Sequence, residues 1–302
     1  MSSPGETLRA PAGHASVPAF ERGWKLDAGS VAPFLSYVDD DAAVNWSDEL
    51  EDLHEESSRD HFIDVWTRSA MLERLGSVPE GGAIIDLGCS TGYLLEDLRD
   101  AYPGRGLIGV DLVAPGLAKA HDLLPDAWLL RADVCDLPLA DSSVDAVVSA
   151  NLLEHVPDDR GALREAFRIL EPGGLAVFVI PAGPGTYDYY DRFLGHERRY
   201  ANGELAAKAR EAGFEVLEDV HLGSILYPAF WAVKKRNRMR HDHLEGEDLE
   251  RKVAADIEGT QNSSFGALTC RIERSLLRRR VRIPFGVRGI TVMRRPVRSD
   301  GA

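Results

Sequence analysis

The chain has 302 residues, 44% of them apolar, and a formal charge of −14, enough for one large buried core or a core with additions. The charge is uneven: residues 234–302 hold 17 Lys and Arg against 9 Asp and Glu, so the rest is strongly acidic and argues against nucleic-acid binding, where phosphate neutralisation dominates affinity. Its cysteines, Cys89, Cys135 and Cys270, are odd in number, far apart and outside any C-x-x-C or Cys/His cluster. Neither a disulfide framework nor a zinc site is implied, and a reducing cytoplasm is the expected location.

Residues 1–22 are rich in Ser, Pro, Gly and Ala without an apolar run, which predicts a disordered leader and not a signal peptide. Residues 23–77 are read as an N-terminal helical unit, with a helix from about Asp48 to Leu75 and Ser47 as its N-cap. Its apolar positions Phe62, Val65, Trp66, Ala70, Leu72 and Leu75 fall near helical spacing. From Val78 to Ile225 strands alternate with helices: Ala83 to Leu87, Gly106 to Asp111, Ala127 to Ala132, Val144 to Ala150, Leu175 to Ile180 and Phe214 to His221. Alternation of this kind predicts an α/β fold with a parallel sheet covered on both faces. Pro284-Phe285-Gly286 then precedes a last strand, Val287 to Met293, so residues 226–284 form a basic helical insertion and 285–302 the last strand and tail. The insertion opens with the apolar run Ile225 to Val233, followed by Lys234-Lys235-Arg236. That run is shorter than the roughly 20 residues a bilayer-spanning helix needs, which leaves core or lid packing, a substrate-channel or dimer role, or peripheral membrane contact.

The most informative stretch is Ile84-Ile85-Asp86-Leu87-Gly88-Cys89-Ser90-Thr91-Gly92-Tyr93, a buried strand that breaks into a glycine-bearing turn and then a helix. Gly88 and Gly92 let backbone approach a ligand, with helix amide groups aimed at it. The next two strands end in Asp111 and Asp133, so carboxylates line the rim of the sheet, where doubly wound folds bind ligands. A nicotinamide or flavin dinucleotide fold would require G-x-G-x-x-G, which Gly88-Cys89-Ser90-Thr91-Gly92 does not supply.

On these residues the chain resembles the class I methyltransferases that use S-adenosylmethionine, over roughly residues 78–220. The resemblance implies a doubly wound, mostly parallel seven-stranded sheet, with the N-terminal helical unit lying over the cofactor as a lid. Trp46, His61 and Trp66 would then face either ligand or core. By the same likeness Asp86, Gly88, Cys89, Ser90 and Gly92 line the methionine and sulfonium end. Asp111, with Leu112 beside it, takes the ribose hydroxyls, and Asp133 with the Val134 backbone holds the adenine. A two-oxygen acceptor suits a vicinal diol, and an acidic pocket suits a cationic sulfonium. Ser90 stands where the family usually has a third glycine.

After the fourth core strand, Asn151-Leu152-Leu153-Glu154-His155-Val156-Pro157 resembles the family's post-strand motif, placing Asn151 near the cofactor's amino acid and His155 one turn on. The segment Pro181 to Tyr200 is rich in glycine, aromatic and ionisable residues and lies on the acceptor side. Its Leu194-Gly195-His196-Glu197-Arg198-Arg199-Tyr200 looks like a bacterial methyltransferase subgroup acting in small-molecule and cell-surface pathways. His196 is the candidate base for an acceptor hydroxyl, His155 a second candidate, and Tyr187, Tyr190 and Arg199 candidate acceptor contacts. No metal-ligand cluster stands out in the spacing, and none is assigned. The resulting expectation is S-adenosylmethionine-dependent O-methylation of a small molecule or natural-product intermediate, with S-adenosylhomocysteine as product. Carboxyl or N-methylation of a peptide or metabolite, a membrane-associated enzyme on a lipid-linked substrate, and a non-catalytic cofactor-binding scaffold are the alternatives.

Overall fold

The computed structural model describes residues 4–26, 29–39, 59–241, 243–260, 264–278 and 283–297. Trp46, Ser47 and the expected helix from Asp48 to residue 58 lie outside them. Among the described residues that helix, α1, runs Phe62–Leu75, with His61 preceding it.

The core follows the predicted alternation: β2 Ala83–Leu87, α2 Tyr93–Ala101, β3 Gly106–Asp111, α3 Ala114–Leu123, β4 Trp128–Arg131, β5 Val144–Ala150, α4 Asp159–Ile169 and β6 Leu170–Pro181. The short helix α5 Tyr189–Phe193, then α6 Glu204–Glu211, β7 Glu215–Leu222 and the last strand β8 Arg288–Arg294 complete it. Their order across the sheet is β7-β8-β6-β5-β2-β3-β4, with β8 antiparallel to both neighbours and the other pairings parallel. Strands β2, β3, β4 and β5 are nearly continuous apolar runs because helices cover both faces. Alternation along β2 shows it: Ile85 and Leu87 join one apolar cluster and Ile84 the other.

Among the described residues the sheet has eight strands where seven were expected. The extra one, β1 Leu35–Ser36, pairs in parallel with Leu130 and Arg131 and covers what would otherwise be an open edge. The expected leader is also built into the fold over its described part. Leu8 bridges to Leu139, the Arg9 guanidinium donates to both carboxylate oxygens of Asp136 at 2.9 and 2.7 Å, and Phe20 packs 5.0 Å from Trp24. Trp24 is fully buried and donates its indole N–H to the Leu129 carbonyl. Average composition hid these few anchors, of which Leu8, Phe20 and Trp24 join the same apolar cluster.

The unit expected as a lid is a structural layer in its described part. Trp66, Ala70, Met71 and Leu75 of α1 are buried against the sheet, Arg288 of β8 reaches Asp64 and Thr67, and Trp66 therefore belongs to the core. His61 stacks on Phe62 with ring centres 4.6 Å apart. The insertion forms three helices, α7 Tyr227–His241, α8 Gly246–Thr260 and α9 Ser264–Arg278. Helix α7 inverts the usual pattern. Its buried residues are Lys234 and Asn237, while Trp231, Val233 and Met239 are exposed. No helix among the described residues is long and apolar enough to cross a membrane.

Candidate active site

The carboxyl ends of β2 and β3 form the first half of the site. After β2 the chain enters the left-handed region at Gly88 (φ 78°), Ser90 (φ 43°) and Gly92 (φ 86°). Gly88 and Cys89 both donate backbone N–H to the Val110 carbonyl, which folds the turn over the neighbouring strand. A side chain at Gly88 would meet Leu152 Cβ at 2.9 Å, so glycine is required for space as well as conformation. Ser90 holds a conformation that costs a serine on the order of 1 kcal/mol, offset by its N–H donating to Asp111 Oδ2 at 2.8 Å.

Asp111 is held on its other oxygen by the Val113 N–H at 3.0 Å, which fixes the carboxylate plane. Arg131 donates to the Leu112 carbonyl and pins that backbone beside it. Asp133 is exposed after β4, its Oδ1 accepting from Cys135 N–H, and Val134 is buried next to it. Asp86 has the most strained electrostatics of the three acids. Burial, and then the Asp111 charge nearby, push its carboxyl up to about 8 from 3.8, and its Oδ1 has no hydrogen-bond partner among the described residues. A buried acid left this way is complementary to a cation.

The acceptor half is assembled by the loop after β5 and the segment after β6. Asn151 sits at φ 53° and still donates its N–H to Val179 on β6, so the β5 ladder ends on it. Glu197 N–H donates to the Glu154 carbonyl, and the buried Tyr200 hydroxyl bonds the Leu153 carbonyl and Asp159 at 3.1 and 2.8 Å. These ties set the His196 ring edge-on to His155, centres 4.7 Å apart. Both predicted histidines, 41 positions apart in the chain, thus meet in space.

Asp191, absent from the sequence expectations, organises this side. Its buried carboxylate takes His196 Nδ1 at 2.9 Å, Arg199 Nε at 2.6 Å and Lys234 Nζ at 3.4 Å, and Lys234 also bonds Asp188 at 2.6 Å. Burial alone would raise Asp191, but the bond from His196 and the Arg199 and Lys234 charges hold it well below the usual carboxylate range. Arg199 is accordingly a loop-fixing residue: besides Asp191 it lies over Phe230 and reaches the Ala182 carbonyl. The Tyr187 hydroxyl donates to the His196 carbonyl at 2.7 Å within its own segment. The Tyr190 ring lies under Lys234, its hydroxyl pushed up to about 12 by burial and neighbouring acids. Asn237 and Arg238 of α7 bond Tyr189 and the Gly185 carbonyl, so the insertion grips the acceptor segment along its length.

Glu154 joins the two histidines. It is completely buried, burial pushes its carboxyl up to about 7, and its donor atoms lie with those of His155 and His196 within 4.8 Å of one another. Glu154 was visible in the post-strand motif, but nothing in the spacing connected it to residue 196.

Comparison with known proteins matches residues 85–178 to a family model described as a methyltransferase domain. A probable S-adenosylmethionine-dependent methyltransferase of Mycolicibacterium smegmatis is 31% identical over 157 residues, which is 50% of this chain and 60% of that protein. A malonyl-[acyl-carrier protein] O-methyltransferase of Hahella chejuensis is 38% identical over 135 residues, 42% of this chain and 48% of that protein. The chain thus spans about half the length of the curated relatives it matches. Among solved structures, a Haemonchus contortus phosphoethanolamine N-methyltransferase with S-adenosylhomocysteine bound aligns with TM-score 0.59 at 16% identity, covering 83% of this chain and 58% of that one. A Haloferax volcanii methyltransferase in complex with its Trm112 activator aligns with TM-score 0.55 at 23% identity, covering 82% and 95%. The two structures share the fold. S-adenosylmethionine is the cofactor of this domain type, and an acid left uncompensated at Asp86, an oriented carboxylate at Asp111 and a backbone cradle at Gly88 all fit it. Residues 85–178 therefore match a methyltransferase domain, and half of the chain is similar to an S-adenosylmethionine-dependent methyltransferase.

Proposed function

We propose that this protein is an enzyme that transfers the methyl group of S-adenosylmethionine to an oxygen of a small-molecule acceptor. The observation that carries the reading is the pairing of two half-sites at adjacent strand ends. One holds the uncompensated Asp86 beside the glycine turn, the other the His155–His196 pair. When bound, the cofactor supplies a methyl on a positively charged sulfur, open to in-line displacement. In that arrangement Asp86 faces the cationic end, Asp111 takes the ribose hydroxyls, Asp133 and Val134 border the adenine, and the Gly88–Gly92 turn lets the backbone close in.

On the other side, fixed positioning and exclusion of water supply most of the rate. An alcohol or phenol must also lose a proton, and here lie the basic atoms that help: the Glu154 carboxylate, the His155 ring, and Nε2 of His196, left over once Asp191 engages Nδ1. A carboxylate acceptor needs no such group. The O-methyltransferase name of the Hahella relative favours the same choice, while the N-methyltransferase name of the Haemonchus structure keeps nitrogen as the rival.

Calorimetric titration with S-adenosylmethionine and S-adenosylhomocysteine, followed by transfer of isotope-labelled methyl to panels of alcohols, phenols, carboxylates and amines, tests the reading. Label on alcohols, phenols or carboxylates supports it, with carboxylates showing that no base is needed; label confined to amines overturns the oxygen assignment. A second reading, action on a lipid-linked acceptor, draws on α7, whose exposed face carries Trp231 and Met239 beside Lys235, Arg236 and Arg240. It requires salt-sensitive sedimentation with anionic vesicles, and no sedimentation at low salt ends it.

A further inference from the structure

Among the described residues on the acceptor side, the buried acids Asp191 and Asp159 are compensated and Glu154 is not. Asp191 has three cationic or imidazole partners, and Asp159 has Lys208, Arg198 and the Tyr200 hydroxyl. Glu154 sits among them with 0% exposure, and neither of its carboxylate oxygens has a hydrogen-bond partner among the described residues. Arg199 and Arg288 bear on it electrostatically, yet their hydrogen bonds go to Asp191 and Asp64. An ionised carboxylate stranded in this way costs several kcal/mol, and a cation bonded to its oxygens removes that cost.

The neighbours of Glu154 are suited to supply the other ligands of such a cation. His155 follows it in sequence, and His196 is brought in by the acceptor segment, with one donor atom from each of the three residues inside the same 4.8 Å. Asp191 on His196 Nδ1 puts the ring's proton there and leaves the Nε2 lone pair outward, the carboxylate–histidine arrangement that metal sites use to fix a tautomer. Two imidazoles and one carboxylate form a donor set that prefers zinc-like transition ions over magnesium, and three protein ligands leave a position open.

We propose that Glu154, His155 and His196 bind one divalent transition-metal ion, zinc by preference, with Asp191 as the outer carboxylate that orients His196. The ligand the open position would admit is an acceptor oxygen, which a bound dication polarises and makes more acidic. His196 Nε2 is then a ligand, and the base role expected of it passes to the ion. What the ion does rests on the methyl-transfer reading; whether it binds does not.

The test uses untagged full-length protein, stripped with a chelator and titrated with zinc chloride by calorimetry and with cobalt(II) chloride by visible absorption. One ion per chain, with visible d–d bands for cobalt in low-symmetry nitrogen and oxygen coordination, is the expected result. Glu154→Gln and His155→Asn, each verified by circular dichroism, should weaken zinc at least tenfold. Failure to bind stoichiometric zinc, or equal zinc affinity in the wild type and both variants, overturns the site. S-adenosylmethionine titrated into the same stripped samples separates the two readings. Cofactor binding together with failure of zinc to bind defeats the metal site alone, and zinc binding together with failure of the cofactor to bind defeats the cofactor assignment alone.

Discussion

The cofactor half and the acceptor half of this site bury acids in opposite ways. Around β2 and β3 the chain leaves Asp86 uncompensated and places Asp111 close enough to raise it further. Around α5 and α7 it surrounds Asp188 and Asp191 with Lys234, Arg199 and His196. The first arrangement waits for a cation from outside; the second is closed by the protein's own cations. One half is therefore built to bind, and the other is built to hold its shape, with Glu154 as its one open account.

If that contrast is right, the largest effect should come from the closed half. Lys234→Met leaves two buried carboxylates short of a partner and is expected to cost about 3–5 kcal/mol of stability in denaturant unfolding, with S-adenosylmethionine affinity unchanged. A loss below about 1 kcal/mol would mean the acids are compensated without the insertion.

Next is Asp111→Ala, expected to weaken cofactor binding by about 1–3 kcal/mol in calorimetry, because hydrogen bonds to a charged acceptor are lost. Unchanged affinity would refute the ribose placement. Its effect on unfolding should be smaller than that of Lys234→Met.

Asp86 gives a pH signature. Its carboxyl is raised from 3.8 to about 8 in the folded chain, so its stabilising contribution is complete below pH 3.8 and is lost as pH rises through 8. Asp86→Asn should abolish that slope in the ligand-free protein and be more stable than wild type near pH 8. Cofactor affinity should rise with pH toward 8 in the wild type and stay flat in the variant. Parallel pH profiles for the two proteins would show that Asp86 is not the titrating group.

The smallest effect is expected at Ser90→Gly, which relieves a left-handed serine and should raise stability by up to about 1 kcal/mol, read as a small shift in thermal midpoint. A loss of stability would mean that the serine hydroxyl contributes more than its backbone conformation costs.

The cofactor half was legible because its information is local. The β2 strand, the turn at Gly88 and Gly92 and the carboxylates at the end of β3 and after β4 are each a few residues of contiguous pattern, and every core strand predicted from 83 onward is present with ends shifted by at most one residue, except β6, which starts at Leu170 and not at Leu175. The acceptor half was only half legible. His155, His196, Tyr190 and Arg199 were singled out, yet Asp191, Lys234 and Glu154 were not, and Arg199 turned out to hold the loop. The N-terminal strand Leu35–Ser36 and the anchors Leu8 and Trp24 were missed for a similar reason: single apolar residues in a polar stretch carry no periodicity.

The sequence by itself determined the alternating core, the glycine turn and carboxylates along its rim, and the presence of a helical insertion, since hydrophobic period and glycine position are properties of neighbouring residues. Tertiary structure alone decided that Lys234 would be buried in a helix whose apolar residues face outward, and that Glu154 would meet His196. Both depend on which distant segments share a low-dielectric interior, where the value of a charge is set by partners that no local pattern records.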